Sequence, residues 1–185
     1  MNYDYDELVR NYSKNFIQVT LDPNYVRKIQ EFVNSLIQQK VLEKHHWFDH
    51  NKEFKRFMTG LMGEAAVEKL LGIDIIDWTI GKSKDYNTPD IHEYGLGIKT
   101  VEIGKFPIIF KNNNYPQIIC VRNPKYSNLV YVCGLASVDV LNKYQTEDLI
   151  LDKGLRRRGI KTGFYGFKYL KRIESLKDIC EYKKE

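Results

Sequence analysis

The chain has 185 residues, of which 43% are hydrophobic and 29% are charged, and its formal net charge is +5. This length suits one domain with a sizeable core, and the composition is that of an ordinary globular protein. No apolar run approaches the roughly 20 residues that a membrane-spanning helix needs, and the acidic N-terminus MNYDYDELVR is unlike a secretory signal. We therefore expect an intracellular, cytoplasmic protein with no membrane partner.

The first part of the chain predicts helices. Asp22 and Pro23 form a helix start, with Asp as the N-cap and Pro at the first helical position. Apolar residues then recur at helical spacing to about Lys44. A second helix is predicted from about Glu53 to Leu71, and Gly72 is its expected C-terminal stop.

After Gly72 the chain changes to short apolar runs separated by turn residues, which is typical of strands. The predicted strands are IDIIDWTI, PDIHEY, GIKTVEI, PIIF, QIICVRN and NLVYVCGLA, with TGFYGF as a last short one. SVDVLNKYQ predicts a short helix capped by Ser137, and LKRIESLKDICEYKK predicts a polar terminal helix or tail. The prediction is an α/β fold with a mixed sheet flanked by helices, in which residues 1–50 form a helical extension and residues 51–185 the main domain, together one compact unit.

The three cysteines are widely spaced and form no CxxC pair. This pattern argues against a disulfide framework and against a cysteine zinc site. Cys120 and Cys133 lie inside apolar runs, so we expect them to be buried strand thiols.

Three charged residues, Glu64, Asp90 and Lys99, lie within or beside segments that are predicted to be apolar or to enter a strand. Glu64 lies on or beside the buried stripe of the second helix, where a carboxylate costs desolvation unless a cation or hydrogen-bond donors meet it. Asp90 follows Pro89 at an extended entry to a strand, and Lys99 lies inside the apolar run GIKTVEI. A turn near residues 95–97 brings Lys99 back toward Asp90. Carboxylates that hold a divalent metal beside a lysine are the groups that phosphodiester hydrolysis uses.

A helix with GLMGEAAVEKLLG, then PD, then a turn and GIKT resembles the PD-(D/E)xK nuclease superfamily, over roughly residues 54–132. The resemblance implies a restriction-endonuclease-like core and an Mg²⁺- or Mn²⁺-dependent enzyme that cleaves DNA. It implies that Glu64 and Asp90 bind the metal, with the backbone carbonyl of Ile98 as a further contact. It also implies that Lys99 positions the attacking water or stabilises charge at the scissile phosphate. Homodimers are frequent among such nucleases, so a homodimer is expected by analogy, with the apolar first helix as an interface.

The chain departs from this family pattern at one position. An acid normally stands two residues before the lysine, whereas here that residue is Gly97. Glu102 is the tentative replacement as a metal ligand, but its offset of three residues from Lys99 points it to the opposite face of a regular strand. Glu93 and Asp85 are weaker candidates. Gln117 either lies near the metal site or is an edge residue with its amide in water, and we favour the edge position.

Two other clusters carry charge or metal-binding groups. His46 and His50 would share a helix face, but without a third ligand a surface histidine cluster is the favoured interpretation. Eight basic residues and no acidic one lie between Lys153 and Ile173. From this segment Arg156, Arg157, Arg158 and Lys161 are predicted to bind the DNA backbone.

Three functions remain open from sequence, of which an unrelated α/β interaction protein is the weakest and would be favoured by a structure with Glu64 and Asp90 far apart. The first is a metal-dependent deoxyribonuclease. The second is a catalytically degenerate relative that binds DNA or protein, for instance a phage-encoded inhibitor of host defence, and the glycine at position 97 favours it.

Overall fold

A computed structural model of the chain describes residues 3–42, 49–79 and 88–182, without the side chains of residues 40–42. The helices in this part are α1 (Tyr5–Leu8), α2 (Pro23–Leu42), α3 (His50–Leu71), α4 (Val138–Lys143), α5 (Lys153–Arg158) and α6 (Leu176–Tyr182). The strands are β1 (Ile17–Thr20), β2 (Gly97–Glu102), β3 (Ile108–Phe110), β4 (Gln117–Arg122), β5 (Leu129–Ala136), β6 (Gln145–Thr146) and β7 (Lys161–Phe164).

The two long helices begin and end at the capping residues that the sequence contains. The Oδ1 atom of Asp22 accepts a hydrogen bond of 2.8 Å from the backbone N–H of Asn24, which opens α2 as predicted. Asp49 caps α3 in the same way, so this helix begins at His50, three residues before its predicted start. Gly72 ends α3 in the left-handed conformation with φ of 69°, as expected of a C-terminal glycine.

The larger sheet has the strand order β1-β5-β4-β2. Strand β2 is parallel to β4, whereas the other two pairings are antiparallel, so the sheet is mixed. A smaller antiparallel sheet has the order β3-β7-β6. The prediction of an α/β fold with a mixed sheet flanked by helices is therefore confirmed at this level.

Side chains that alternate along β4 enter two separate cores, one on each face of the larger sheet. Ile118 and Cys120 pack toward α2 and α3 in one core, while Ile119 and Val121 enter a second core that includes Phe164 of β7. Both cysteines of this sheet are buried, as predicted. The first 50 residues contribute to the same structure, because β1 pairs with β5 and α2 packs in the first core.

Two predicted strands are wrong. Residues 73–79 of IDIIDWTI form neither helix nor strand, because Glu68 Oε1 accepts hydrogen bonds of 2.7 Å from the backbone N–H groups of both Ile75 and Ile76. PDIHEY contributes a single bridge between Ile91 and Leu96 around a 3₁₀ turn. The side chain of a helical glutamate thus replaces a strand partner, which apolar periodicity does not predict.

Four short elements escaped prediction, namely α1, β1, β6 and the basic helix α5. Strand β1 is only four residues long, and α5 depends on a cap from Asp152, whose Oδ1 accepts a hydrogen bond of 2.7 Å from Leu155. Within the residues described, no helix has the length and apolarity that crossing a membrane would require.

Candidate functional site

Helix α3 lies directly on strand β2 at a glycine. A Cβ built on Gly63 would lie only 1.7 Å from Oγ1 of Thr100, so the helix backbone touches the strand where a larger residue would hold it away. Glu64, the next residue along α3, is therefore carried to the edge of the sheet that β2 forms.

Asp90 lies at that same edge and is tied to the strand. Its Oδ2 atom accepts a hydrogen bond of 2.5 Å from the backbone N–H of Ile98. In β2 the N–H groups of Gly97 and Ile103 point to β4, where they donate to the carbonyls of Pro116 and Arg122. Because direction alternates along a strand, both the N–H and the carbonyl of Ile98 point away from β4 toward Asp90. The Ile98 carbonyl thus lies on the same side of the strand as Asp90.

Lys99 faces a small cavity of about 110 Å³ that Asp90 also lines. Among the described residues no carboxylate comes within ion-pairing distance of its ammonium group. Burial and the neighbouring charge of Lys161 lower the pKa of Lys99 to about 8, against a smaller opposing effect of the Asp90 charge. The cavity therefore contains an ammonium group that has no direct counter-ion among residues 3–42, 49–79 and 88–182, and such a group is a suitable partner for an anion such as phosphate.

Glu64 responds electrostatically to Asp90. Burial and then the Asp90 charge raise the pKa of Glu64 to about 7, and Glu68 contributes less. Burial also raises the pKa of Asp90, although the Ile98 hydrogen bond opposes this rise. A carboxylate whose pKa is raised by the charge of a neighbouring carboxylate is common where two carboxylates share a cation. The structure thus brings Glu64, Asp90 and Lys99 to one edge of the sheet.

The other acids that the sequence offered as metal ligands are not found beside Asp90 and Lys99. Glu102 is on the opposite face of β2 from Lys99, roughly 13 Å along the strand from Ile98, and it forms an ion pair of 2.5 Å with Lys105. Glu93 lines a different, larger depression beside α2. Asp85 lies outside the described residues. Within the described chain there is no group of three histidine, cysteine or acidic residues that would hold a metal ion by themselves.

Gly97 has no room for the acid of the family pattern. A Cβ at this position would lie 2.7 Å from Cε2 of Tyr115 and 3.3 Å from Cγ of Gln117. Gln117 is the register partner of Gly97 in β4, so its side chain lies on the same face as the missing acid would. The available oxygen donors at the edge, from Asp90, Glu64 and the Ile98 carbonyl, are of the type that Mg²⁺ and Mn²⁺ prefer.

The position that we favoured for Gln117 is wrong. Its side chain is not an edge amide in water, because the residue is only 8% exposed and lines the cavity. The Nε2 atom donates a hydrogen bond of 3.2 Å to Oδ1 of Asn113. The signal in the sequence was a polar residue at the start of an otherwise buried run, QIICV.

Lys161 also lines the cavity, although its sequence neighbours suggested only a contact to the DNA backbone. It comes from β7 of the smaller sheet, and its Nζ lies 5.1 Å from the ring centroid of Phe110. The three predicted arginines lie on α5, where Arg156 forms an ion pair of 2.9 Å with Asp148 while Arg157 and Arg158 are exposed. Of the four predicted DNA-binding residues, Lys161 thus lies in the cavity and the three arginines lie on the surface helix α5.

His50 is the first residue of α3, and His46 lies outside the described residues, so the predicted histidine cluster is not described as a whole.

Comparison of the chain with protein-family models, with curated proteins and with solved structures gave no match.

Proposed function

We propose that the chain has a restriction-endonuclease-like core of the PD-(D/E)xK type and hydrolyses DNA phosphodiester bonds with Mg²⁺ or Mn²⁺. The observation that carries the proposal is the meeting of a helix acid, a turn acid and a strand lysine at one edge of a mixed sheet. These residues come from three separate segments, and no packing requirement explains why an acid and a lysine that has no ion-pair partner in the described part of the chain should line one small cavity.

Each residue has a distinct role in this proposal. Asp90 is the central metal ligand, because the Ile98 N–H holds one of its oxygens and thereby orients the carboxylate. The Ile98 carbonyl is a further ligand, and Glu64 binds the cation directly or through water. A bound divalent ion would polarise the phosphate and lower the pKa of a water molecule. Lys99 donates a hydrogen bond to a phosphate oxygen and stabilises the charge that develops there.

The basic residues would bind the DNA around this centre. Lys161 shares the cavity with Lys99 and would contact the same phosphate or its neighbour. Arg157 and Arg158 on α5 are exposed and would contact the backbone at a distance from the cavity. Such contacts supply affinity that depends on salt and is independent of base sequence.

Cleavage of plasmid and branched DNA with Mg²⁺ or Mn²⁺, and its loss in EDTA, tests the proposal. Asp90→Asn and Lys99→Ala should each abolish cleavage while the protein remains folded. Asp139→Asn and Lys125→Ala are matched controls, because both residues are exposed and lie away from the cavity. Equal cleavage by Asp90→Asn and the wild type would remove the assigned site.

A second candidate function is DNA or protein binding without catalysis. The observation in its favour is that the acid normally found at position 97 is missing and that its place is filled by Tyr115 and Gln117. This function predicts retardation of DNA, or capture of a protein partner, that is unchanged by EDTA and by Asp90→Asn. Metal-independent binding with no cleavage of any DNA substrate would favour it over the nuclease.

A further inference from the structure

Three side-chain amides form a relay that ends at the cavity. Gln117 Nε2 donates to Asn113 Oδ1, and Asn113 Nδ2 donates to the backbone carbonyl of Phe110 at 2.8 Å. Asn142 Oδ1 accepts from the backbone N–H of Asn113 at 3.1 Å and from the Asn113 side chain at 3.2 Å. Backbone groups thus anchor the relay at both asparagines.

These anchors fix which atom of Gln117 faces the cavity. A backbone carbonyl only accepts, so the nitrogen of Asn113 must point to Phe110 and its oxygen to Gln117. Gln117 must then use its nitrogen toward Asn113 and direct its oxygen the other way. Among the described residues no donor is paired with Gln117 Oε1, although the residue is only 8% exposed. The oxygen itself is not fully buried, so it is open to the cavity, where water or a bound ion can contact it.

The location of this oxygen matches the position that lacks an acid. Gln117 and Gly97 are register partners, so both project from the same face of the sheet as Lys99. The Gln117 Cγ atom lies 3.3 Å from where a Cβ of residue 97 would be. The distal amide of Gln117 therefore reaches the cavity from the neighbouring strand, in the space that a side chain at position 97 would have used, and Asp90 lines the same cavity.

We propose that Gln117 supplies, from strand β4, the divalent-cation ligand that Gly97 of strand β2 lacks. The inference rests on the proposed function for the identity of the cation. An amide oxygen is an accepted ligand of Mg²⁺, Mn²⁺ and Ca²⁺, but it is neutral. With Lys99 and Lys161 in the same cavity, the two carboxylates of Asp90 and Glu64 and a neutral amide leave the site with an excess of positive charge once the ion is bound. The cation is therefore held more tightly when a phosphate group is present.

Mn²⁺ binding tests this assignment without reference to cleavage. The 185-residue chain is titrated with Mn²⁺, and the free ion is followed by its EPR signal, with and without a short phosphorothioate duplex. Gln117→Leu should weaken Mn²⁺ binding by about tenfold, and Gln117→Glu, which adds a charged oxygen at the same place, should strengthen it by about tenfold. Asn114→Asp is the control, since it makes the same change of charge at an exposed position three residues before Gln117 and should alter affinity less than about threefold.

Thermal unfolding shows whether each variant is folded. If Gln117→Leu does not fold, the Mn²⁺ affinity of Gln117→Glu still tests the assignment. Wild-type affinity in both Gln117 variants, together with loss of binding in Asp90→Asn, would overturn the role of Gln117. Absence of Mn²⁺ binding by the wild type under both conditions would overturn it as well. Mn²⁺ binding that follows the expected order in a protein that cleaves no DNA would leave the Gln117 assignment standing and reject only the nuclease.

Discussion

Gly63 of α3 and Thr100 of β2 are in direct contact, so that a methyl group added to the glycine would overlap the threonine hydroxyl at 1.7 Å. This contact determines how closely the helix that carries Glu64 approaches the strand that carries Lys99. Another glycine of the same helix, Gly60, has no atom within 4 Å of its Cβ position. Replacing each of the two glycines by alanine therefore tests whether the close approach of α3 to β2 depends on Gly63.

Gly63→Ala should lower the free energy of unfolding by about 1–3 kcal/mol, because the new methyl group must push the helix from the strand. Gly60→Ala should raise it by up to about 1 kcal/mol, since alanine is the better helix former and nothing opposes it. Urea unfolding with comparable m-values measures both changes. Equal effects of the two substitutions would show that α3 does not depend on a glycine at position 63.

An acid introduced at position 97 should not improve activity. Gly97→Asp places a Cβ 2.7 Å from the Tyr115 ring, so it should destabilise the protein by about 1–3 kcal/mol and should not increase cleavage. Gly97 is not among the glycines with positive φ, so the cost is one of space and not of backbone strain. Combination with Tyr115→Ala should therefore recover part of the lost stability in a thermal melt. A stable and more active Gly97→Asp protein would contradict this account.

The buried charge of Lys99 should lower the free energy of unfolding of the metal-free protein, although the proposed site requires this residue. Burial and the Lys161 charge lower its pKa to about 8 in the folded state, below the 10.5 of an ordinary lysine. Between these values the unfolded chain binds more protons than the folded one, so this group makes stability rise as pH increases through that window. The Lys99→Met protein should be more stable than the wild type at pH 7. Its stability should not show the increase with pH that the Lys99 ammonium group causes in the wild type.

The measurement is denaturant unfolding in EDTA at pH 7 and at pH 9.5, with Lys125→Met as the control. Lys125 lies exposed in the loop between β4 and β5, so its replacement should leave the pH response unchanged. A Lys99→Met protein that is less stable than the wild type at both pH values would show that the ammonium group has a partner in the folded state.

Thiol reactivity should separate the three cysteines. Cys180 is exposed on α6, whereas burial raises the pKa of Cys120 to about 12 and that of Cys133 well above its usual value. A thiol reagent at pH 8 should therefore label one thiol of the native protein rapidly and the other two only after unfolding. Cys180→Ser should remove the rapid phase, and labelling of Cys120 at a comparable rate would contradict the packing of β4.

The basic residues should divide into two functional groups. Lys161→Ala should reduce cleavage far more than DNA binding, because Lys161 lines the cavity. Arg157→Ala and Arg158→Ala should instead weaken binding and each lower the slope of log affinity against log salt by about 1. Lys105→Ala is the control, since Lys105 is already paired with Glu102. Fluorescence anisotropy at several salt concentrations and a cleavage assay measure the two effects.

Local signals in the chain predicted the main elements well. Asp22 with Pro23, and Gly72, marked the start of α2 and the end of α3, because capping depends on neighbouring residues only. The runs GIKTVEI, QIICVRN and NLVYVCGLA became β2, β4 and β5, since apolar β-branched residues suit a sheet covered on both faces. The strand predicted for IDIIDWTI failed because Glu68, several residues earlier on α3, takes its backbone donors.

The sequence by itself determined which residues could serve the site, since an acid beside a buried helical stripe and a lysine within an apolar strand are unusual in a single chain. Only the tertiary structure decided how they are arranged. Parallel pairing of β2 with β4 places Gln117 opposite Gly97, and the small sheet brings Lys161 into the cavity of Lys99. The physical reason is that register and sheet packing join positions far apart in the chain, and no spacing along one strand encodes which neighbour fills the space beside a glycine.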